Sequence, residues 1–339
     1  MGGLGKSRGT RLVLLIFCVG MPVGAGAREY TPQLGRAEIN HGGIPFPLEA
    51  APGTPVSPPH REELGVTLEG PLSPALPGLP AEMPLGGVTG EASPPLEAGF
   101  AGIGFNLSFP PDPMLAAGPS SLIAVANGGI AMFAKDGAPL ASRSLNAFFN
   151  GALSAGDTFD PRVIFDPHSQ RFFVVSTDGK SSPESWLRIA ASKTSSPGNL
   201  SVGTAVTDHW WGIDIDADLD GGQPVNDNWA DFPGLGADLD NLVVTANMVS
   251  NGGAPRYARV WILRKTELLS GFTPTVFEFG SPPDILVNPD DGSAASTLMP
   301  ALNFDLTPEQ MVSRAALIDD GTGRINLWSV NDPAGTPTL

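Results

Sequence analysis

From about residue 100 onward, short apolar stretches alternate with clusters of turn residues. Leu122, Ile123, Ala124, Val125 and Ala126 run into Gly128 and Gly129, and residues 130–134 lead to the turn Lys135, Asp136, Gly137. Residues 163–165 pass through Asp166, Pro167, His168 and Ser169 into residues 172–176. Further runs lie at 187–191, 242–246, 260–263, 315–318 and 325–330. Each is four to seven residues long and is bounded by Gly, Asp, Asn or Pro, the pattern of strands joined by hairpins. Residues 266–269 are the one short helical candidate. The pattern predicts an all-β fold.

Four loosely similar units follow one another, at 112–149, 160–206, 231–279 and 297–339. Their length matches a propeller blade, and a β-sandwich is the other architecture with this strand spacing. The expected domain is therefore a β-propeller-like array of short antiparallel sheets over residues 101–339, with the C-terminus falling inside the fourth unit, as in an incomplete array. Residues 28–100 differ in texture. They hold 14 prolines and 11 glycines in 73 positions, with no period of 2 or 3.6. Proline removes backbone donors and glycine raises the ordering cost, so this segment reads as a disordered Pro/Gly-rich spacer.

At the N-terminus, Lys6, Arg8 and Arg11 precede an apolar run from Leu12 to Val23, and small residues stand at Ala25 and Ala27. This predicts a secretory signal peptide over 1–27, and so a secreted, periplasmic or surface location. The single cysteine, Cys18, lies inside it, so the mature chain has no disulfide framework. The net charge of −16 argues against nucleic acid, whose phosphates require a basic surface. No second segment is long and apolar enough to span a bilayer.

Several motifs resemble a family of exported bacterial β-propeller proteins that is mostly uncharacterised. They are Pro111-Asp112-Pro113 with Ala117-Gly118-Pro119 and Asn127; Asp160-Pro161 with Asp166, Arg171 and Phe172; Trp229-Ala230-Asp231-Phe232-Pro233 with Asn247; and Arg264-Lys265 with Gly271. The resemblance covers about 109–271. It implies the propeller fold and no particular chemistry.

The strongest local chemical signal is Asp214, Asp216, Asp218 and Asp220 at alternate positions, followed by Gly221. Alternating carboxylates before a glycine begin a calcium loop. The expected Ca2+ ligands are Asp216, Asp218, Asp220 and Asp227, although Asp227 replaces the usual glutamate and Pro224 rules out an EF-hand helix. The other reading is a solvated acidic loop. Trp210, Trp211 and Trp229 flank this loop and are candidate stacking platforms for a sugar, with core packing as the alternative. Asp160, Asp166 and Asp231 sit in repeated turns, which favours a structural, capping role. His41, His60, His168 and His209 lack metal-ligand spacing. No catalytic signature stands out. Two functions follow: a non-catalytic binding or adhesion scaffold for an extracellular protein or glycan, or an extracellular polysaccharide hydrolase or lyase using carboxylates at the propeller centre.

Overall fold

The computed structural model describes residues 30–40 and 99–339, except 36, 105–108, 152, 154–157, 181–183, 221–222, 225–226, 290, 305–313, 319–324 and 331–334. The expected signal peptide and most of the expected spacer lie outside the described residues. No helix among the described residues is long and apolar enough to cross a membrane.

The fold is all-β, built from consecutive antiparallel meanders. Sheet one contains β3 (Met114–Ala117), β4 (Ser121–Ala126), β5 (Gly129–Ala134) and β6 (Pro139–Ser144) in chain order. Sheet two contains β7 (Phe159–Asp166), β8 (Arg171–Asp178), β9 (Trp186–Ser192) and β10 (Trp210–Asp216). A two-stranded hairpin of β11 (Leu219–Asp220) and β12 (Gln223–Pro224) follows. Sheet three contains β13 (Asn228–Ala237), β14 (Asn241–Ser250), β15 (Pro255–Arg264) and β16 (Val276–Phe279). Sheet four contains β17 (Leu298–Pro300), β18 (Arg314–Ile318) and β19 (Ile325–Ser329). Two short helices, α1 (Leu145–Phe148) and α2 (Lys265–Leu269), sit in the connections. The hydroxyl of Ser144 accepts the Ala147 N–H and so caps α1.

The first strands β3, β7, β13 and β17 neighbour one another in order, so each sheet packs on the next. Three apolar layers fill the gaps. Ile123, Val125 and Met132 meet Val163, Phe172 and Trp210 between sheets one and two. Phe173, Leu187 and Ile189 meet Leu242, Val244 and Trp261 between sheets two and three. Val260, Ile262 and Phe279 meet Leu298 and Trp328 between sheets three and four. Sheets two and three are thus covered on both faces, which is why their strands read as unbroken apolar runs.

Each unit begins with the same backbone device. Asp112 and Thr297, just before the first strand, Asp160, near its start, and Phe232, within it, all have φ between 41° and 54°. In β7 and β13 the pairing slips at this point, between Phe159 and Arg162 and between Asp231 and Gly234. The bulge aligns Asp160-Pro161 with Phe232-Pro233, so Asp160 corresponds to Phe232 and not to Asp231.

Two expectations need correction. The second unit ends at Asp216 and not at 206, because Trp210 to Asp216 is its fourth strand, paired along its length with β9. And residues 28–100 are not spacer throughout. β1 (Gln33–Leu34) pairs antiparallel with β16, and β2 (Ala37–Asn40) with β10, each as a fifth strand on an outer edge. Backbone pairing of so few residues leaves no periodic trace in sequence.

Candidate functional site: carboxylates at the sheet junctions and on the acidic strand

The acidic segment is half strand. Asp214 lies on β10, buried, and accepts a 2.6 Å bond from Arg188 Nε. Arg188, also buried, bonds Asp178 at 3.2 Å and the carbonyls of Phe149 and Gly151. Asp216 ends the strand, and its carboxylate accepts the Asp218 N–H at 3.4 Å. Asp218 is 5% exposed. Burial, then a hydrogen bond to Asp216 and the charges of Asp216 and Glu184, push its carboxyl up to about 8 against the opposing pull of Arg259.

Of the four expected calcium ligands, the structure brings Asp216 and Asp218 together. Asp227 is turned to Arg256, which it holds in a two-pronged surface pair at 3.0 and 2.7 Å. Asp220 contributes its backbone to the β11–β12 hairpin, and its side chain lies outside the described residues. Among the described residues, no group of three or more His, Cys, Asp or Glu is arranged to hold a metal ion.

The tryptophans are packing groups. Trp210 is fully buried, stands edge-on to Phe148 at 5.3 Å, and donates its indole N–H to the Asn199 carbonyl at 2.9 Å. Trp229 is 5% exposed and donates to the Ser250 carbonyl at 3.1 Å, with Phe159 edge-on to its ring. Trp211 is half-buried, but the Lys193 ammonium sits 3.8 Å over its ring and Gly271 lies against its edge. A stacked sugar would have to displace that lysine. Burial lowers the pKa of Lys193 despite nearby Asp208.

A second carboxylate cluster joins sheets one, two and three. Asn127, just after β4, donates Nδ2 to the Asp112 carboxylate at 2.9 Å, to Asp160 at 3.3 Å and to the Pro110 carbonyl at 2.8 Å. Its Oδ1 accepts the Asp160 N–H at 2.6 Å. The Asp160 carboxylate then accepts the Phe232 N–H at 3.2 Å. Arg162, buried, donates Nε to the Pro233 carbonyl at 3.0 Å and lies over the Phe232 ring. Asp231 completes the group, beside Lys180.

All three carboxyls are held above the ordinary carboxylate range, in each case first by burial. The charge and hydrogen bond of Asp160 also raise Asp112, and the charge of Asp231 raises Asp160. The charge of Asp112 raises Asp231, while Lys180 and the Phe232 N–H oppose the shift. The arrangement can share protons among three neighbouring carboxyls. It also ties three sheets at one point.

The same joint recurs further along the chain. Asn247 Oδ1 accepts the Thr297 N–H at 2.6 Å, carrying sheet three to sheet four. The structural role expected for Asp166 is seen directly. Its carboxylate caps the β7–β8 hairpin at the N–H groups of His168 and Ser169, both at 3.2 Å, and pairs with buried Lys265 at 2.6 Å. Asn127 and Asp112 were not recognised as site residues from sequence, although both stand in the family-like motif.

No family model matches the chain, and no curated protein matches it. One solved structure, a protein of unknown function from Bacteroides caccae, aligns at 9% identity over 67% of this chain and 64% of its own, with a TM-score of 0.28. This chain thus spans less than two thirds of that structure, and so low a TM-score carries no argument.

Proposed function

We propose that the four sheets are blades of a β-propeller-like array on an exported chain, and that the protein is a non-catalytic scaffold binding an extracellular protein or glycan. The observation that supports this most is the use made of its carboxylates. Asp112 and Asp160 are bonded to Asn127 and to the backbone of the next sheet. Asp166, Asp178, Asp214 and Glu278 are paired with buried cations. Such groups hold sheets together, and a general acid or base needs a carboxyl that reaches substrate.

The test probes the immobilised full-length chain with soluble polysaccharides and extracellular proteins while reducing ends are assayed in parallel. The reading predicts saturable binding without new reducing ends. Turnover that disappears in the Asp160→Asn, Asp231→Asn double variant would overturn it. The alternative, a polysaccharide hydrolase or lyase, draws its support from the raised pKa of Asp112, Asp160 and Asp231, since shifted carboxyls gather at catalytic sites. The same assay separates the two.

Calcium enters this reading as a structural ligand. A cation at Asp216 and Asp218 would offset the burial and the neighbouring charge that hold the Asp218 carboxyl up. In that case calcium raises the melting temperature at pH 8, and Asp218→Ala abolishes the rise. Identical melts with calcium and with chelator would remove calcium from the account.

A further inference from the structure

We infer that residues 30–40 form a detachable clasp, and that the outer edges of β10 and β16 are a strand-accepting site whose occupant is this segment. The inference is independent of the function proposed above. Three observations carry it.

The first concerns which edges are covered. An outer strand exposes unpaired N–H and C=O groups and needs protection. β6 protects itself with Pro139, Ser142, Arg143 and Ser144. β16 reads Val-Phe-Glu-Phe and β10 reads Trp-Trp-Gly-Ile-Asp-Ile-Asp, with no proline and no lysine. These two are the edges on which residues 30–40 add a fifth strand, Gln33 opposite Glu278 and Leu34 opposite Phe277, then Ala37 opposite Ile215 through to Asn40 opposite Gly212.

The second is the fit at Gly35. Its N–H donates to the Val276 carbonyl at 2.8 Å, and a Cβ there would collide with the Glu278 side chain. Glu278 is 4% exposed and holds Arg259 at 2.8 Å and the Trp261 indole N–H at 3.0 Å. The clasp therefore lies over a buried ion pair, and only glycine permits the approach.

The third is that main-chain pairing holds the segment along both of its strands. Tyr30 is its one strongly buried side chain among those described, at 3% exposure. Its hydroxyl accepts the Val287 N–H at 3.0 Å, and its backbone exchanges bonds with Leu339. Gln33 and Leu34 are exposed. Main-chain bonds of this kind give affinity to an added strand. Residues 41–98, rich in proline and glycine, separate the clasp from sheet one along the chain. Chain order also means that it cannot seat before its partners at 210–216, 276–279 and 339 have been made.

The experiment uses the full chain with a protease site inserted between residues 41 and 98, cut after folding. A labelled synthetic peptide of residues 28–40 is then added. The cut protein should exchange its own clasp for the labelled peptide, whereas uncut protein takes up at least tenfold less. A peptide carrying Gly35→Val should exchange at least tenfold less than the natural sequence. The inference fails if the cut clasp never exchanges, if the Gly35→Val peptide exchanges as well as the natural one, or if loss of the clasp abolishes the cooperative melt.

Discussion

Two parts of this molecule hold carboxyl groups above their ordinary range, and they do so differently. At the junction of sheets one, two and three, Asp112 and Asp160 are met by Asn127 and by the Phe232 N–H. At the end of β10, burial first and then Asp216 and Glu184 hold the Asp218 carboxyl up, and the charge of Arg259 opposes them. The first site turns its carboxyls into joints between sheets. The second buries a carboxyl beside another on the same stretch of chain. A raised carboxyl pKa therefore has no single meaning in this fold; the hydrogen-bond partners decide it.

The largest effect should come from the joint. Asn127→Leu removes one side chain that serves two carboxylates, a carbonyl and an N–H, and leaves them buried without it. We expect a loss of about 3 kcal/mol in urea unfolding, from the cost of unsatisfied buried polar groups. A loss within about 0.5 kcal/mol, typical of a surface change, would break the contrast between the two sites.

Asp160→Ala should cost about 2 kcal/mol, since the Phe232 N–H loses its acceptor. Asp160→Asn should cost less at pH 5, and its deficit should shrink as pH rises to 9. The sign follows from linkage. The folded pKa of Asp160 is above the unfolded value of 3.8, so the folded state binds more protons there and the wild type loses stability as pH rises. Urea midpoints at pH 5, 7 and 9 check this.

Asp218→Asn should act in the opposite direction and raise stability. With a folded pKa near 8 against 3.8 unfolded, the carboxyl weakens the fold progressively between those pH values. The gain should be absent below pH 4 and fully developed by pH 9, as read from thermal melts. Arg256→Ala should do least. It removes an exposed pair with Asp227, worth about 0.5 kcal/mol or less. A larger loss would mean that Asp227 belongs to a tighter site than its surface pairing suggests.

Much of the fold was legible because its strands are short apolar runs between Gly, Asp and Pro. The hairpin at Asp136-Gly137 and the helix near 266–269 could be read from local chemistry alone. The acidic segment was harder. Asp214-Ile215-Asp216 is a period-two strand pattern, yet the same alternation of carboxylates begins a calcium loop, and sequence cannot separate the two. Pairing of β10 with β9 separates them, and it depends on residues more than twenty positions away. The Asn127 joint was hidden for the same reason, since its partner Asp160 lies 33 residues on. Trp210 and Trp229 resembled platforms because burial is a property of the assembled layers. The strands at 33–34 and 37–40 borrow their structure from edges made far later in the chain.

The central claim is that Asn127 and Asp160 form a structural joint between sheets. A double-mutant cycle tests it most directly, with urea unfolding of wild type, Asn127→Ala, Asp160→Ala and the double variant at pH 7. The account predicts a coupling energy above about 1 kcal/mol, as for residues sharing one hydrogen-bond network. Losses that add to within about 0.5 kcal/mol would contradict it and return the three aspartates to the list of catalytic candidates.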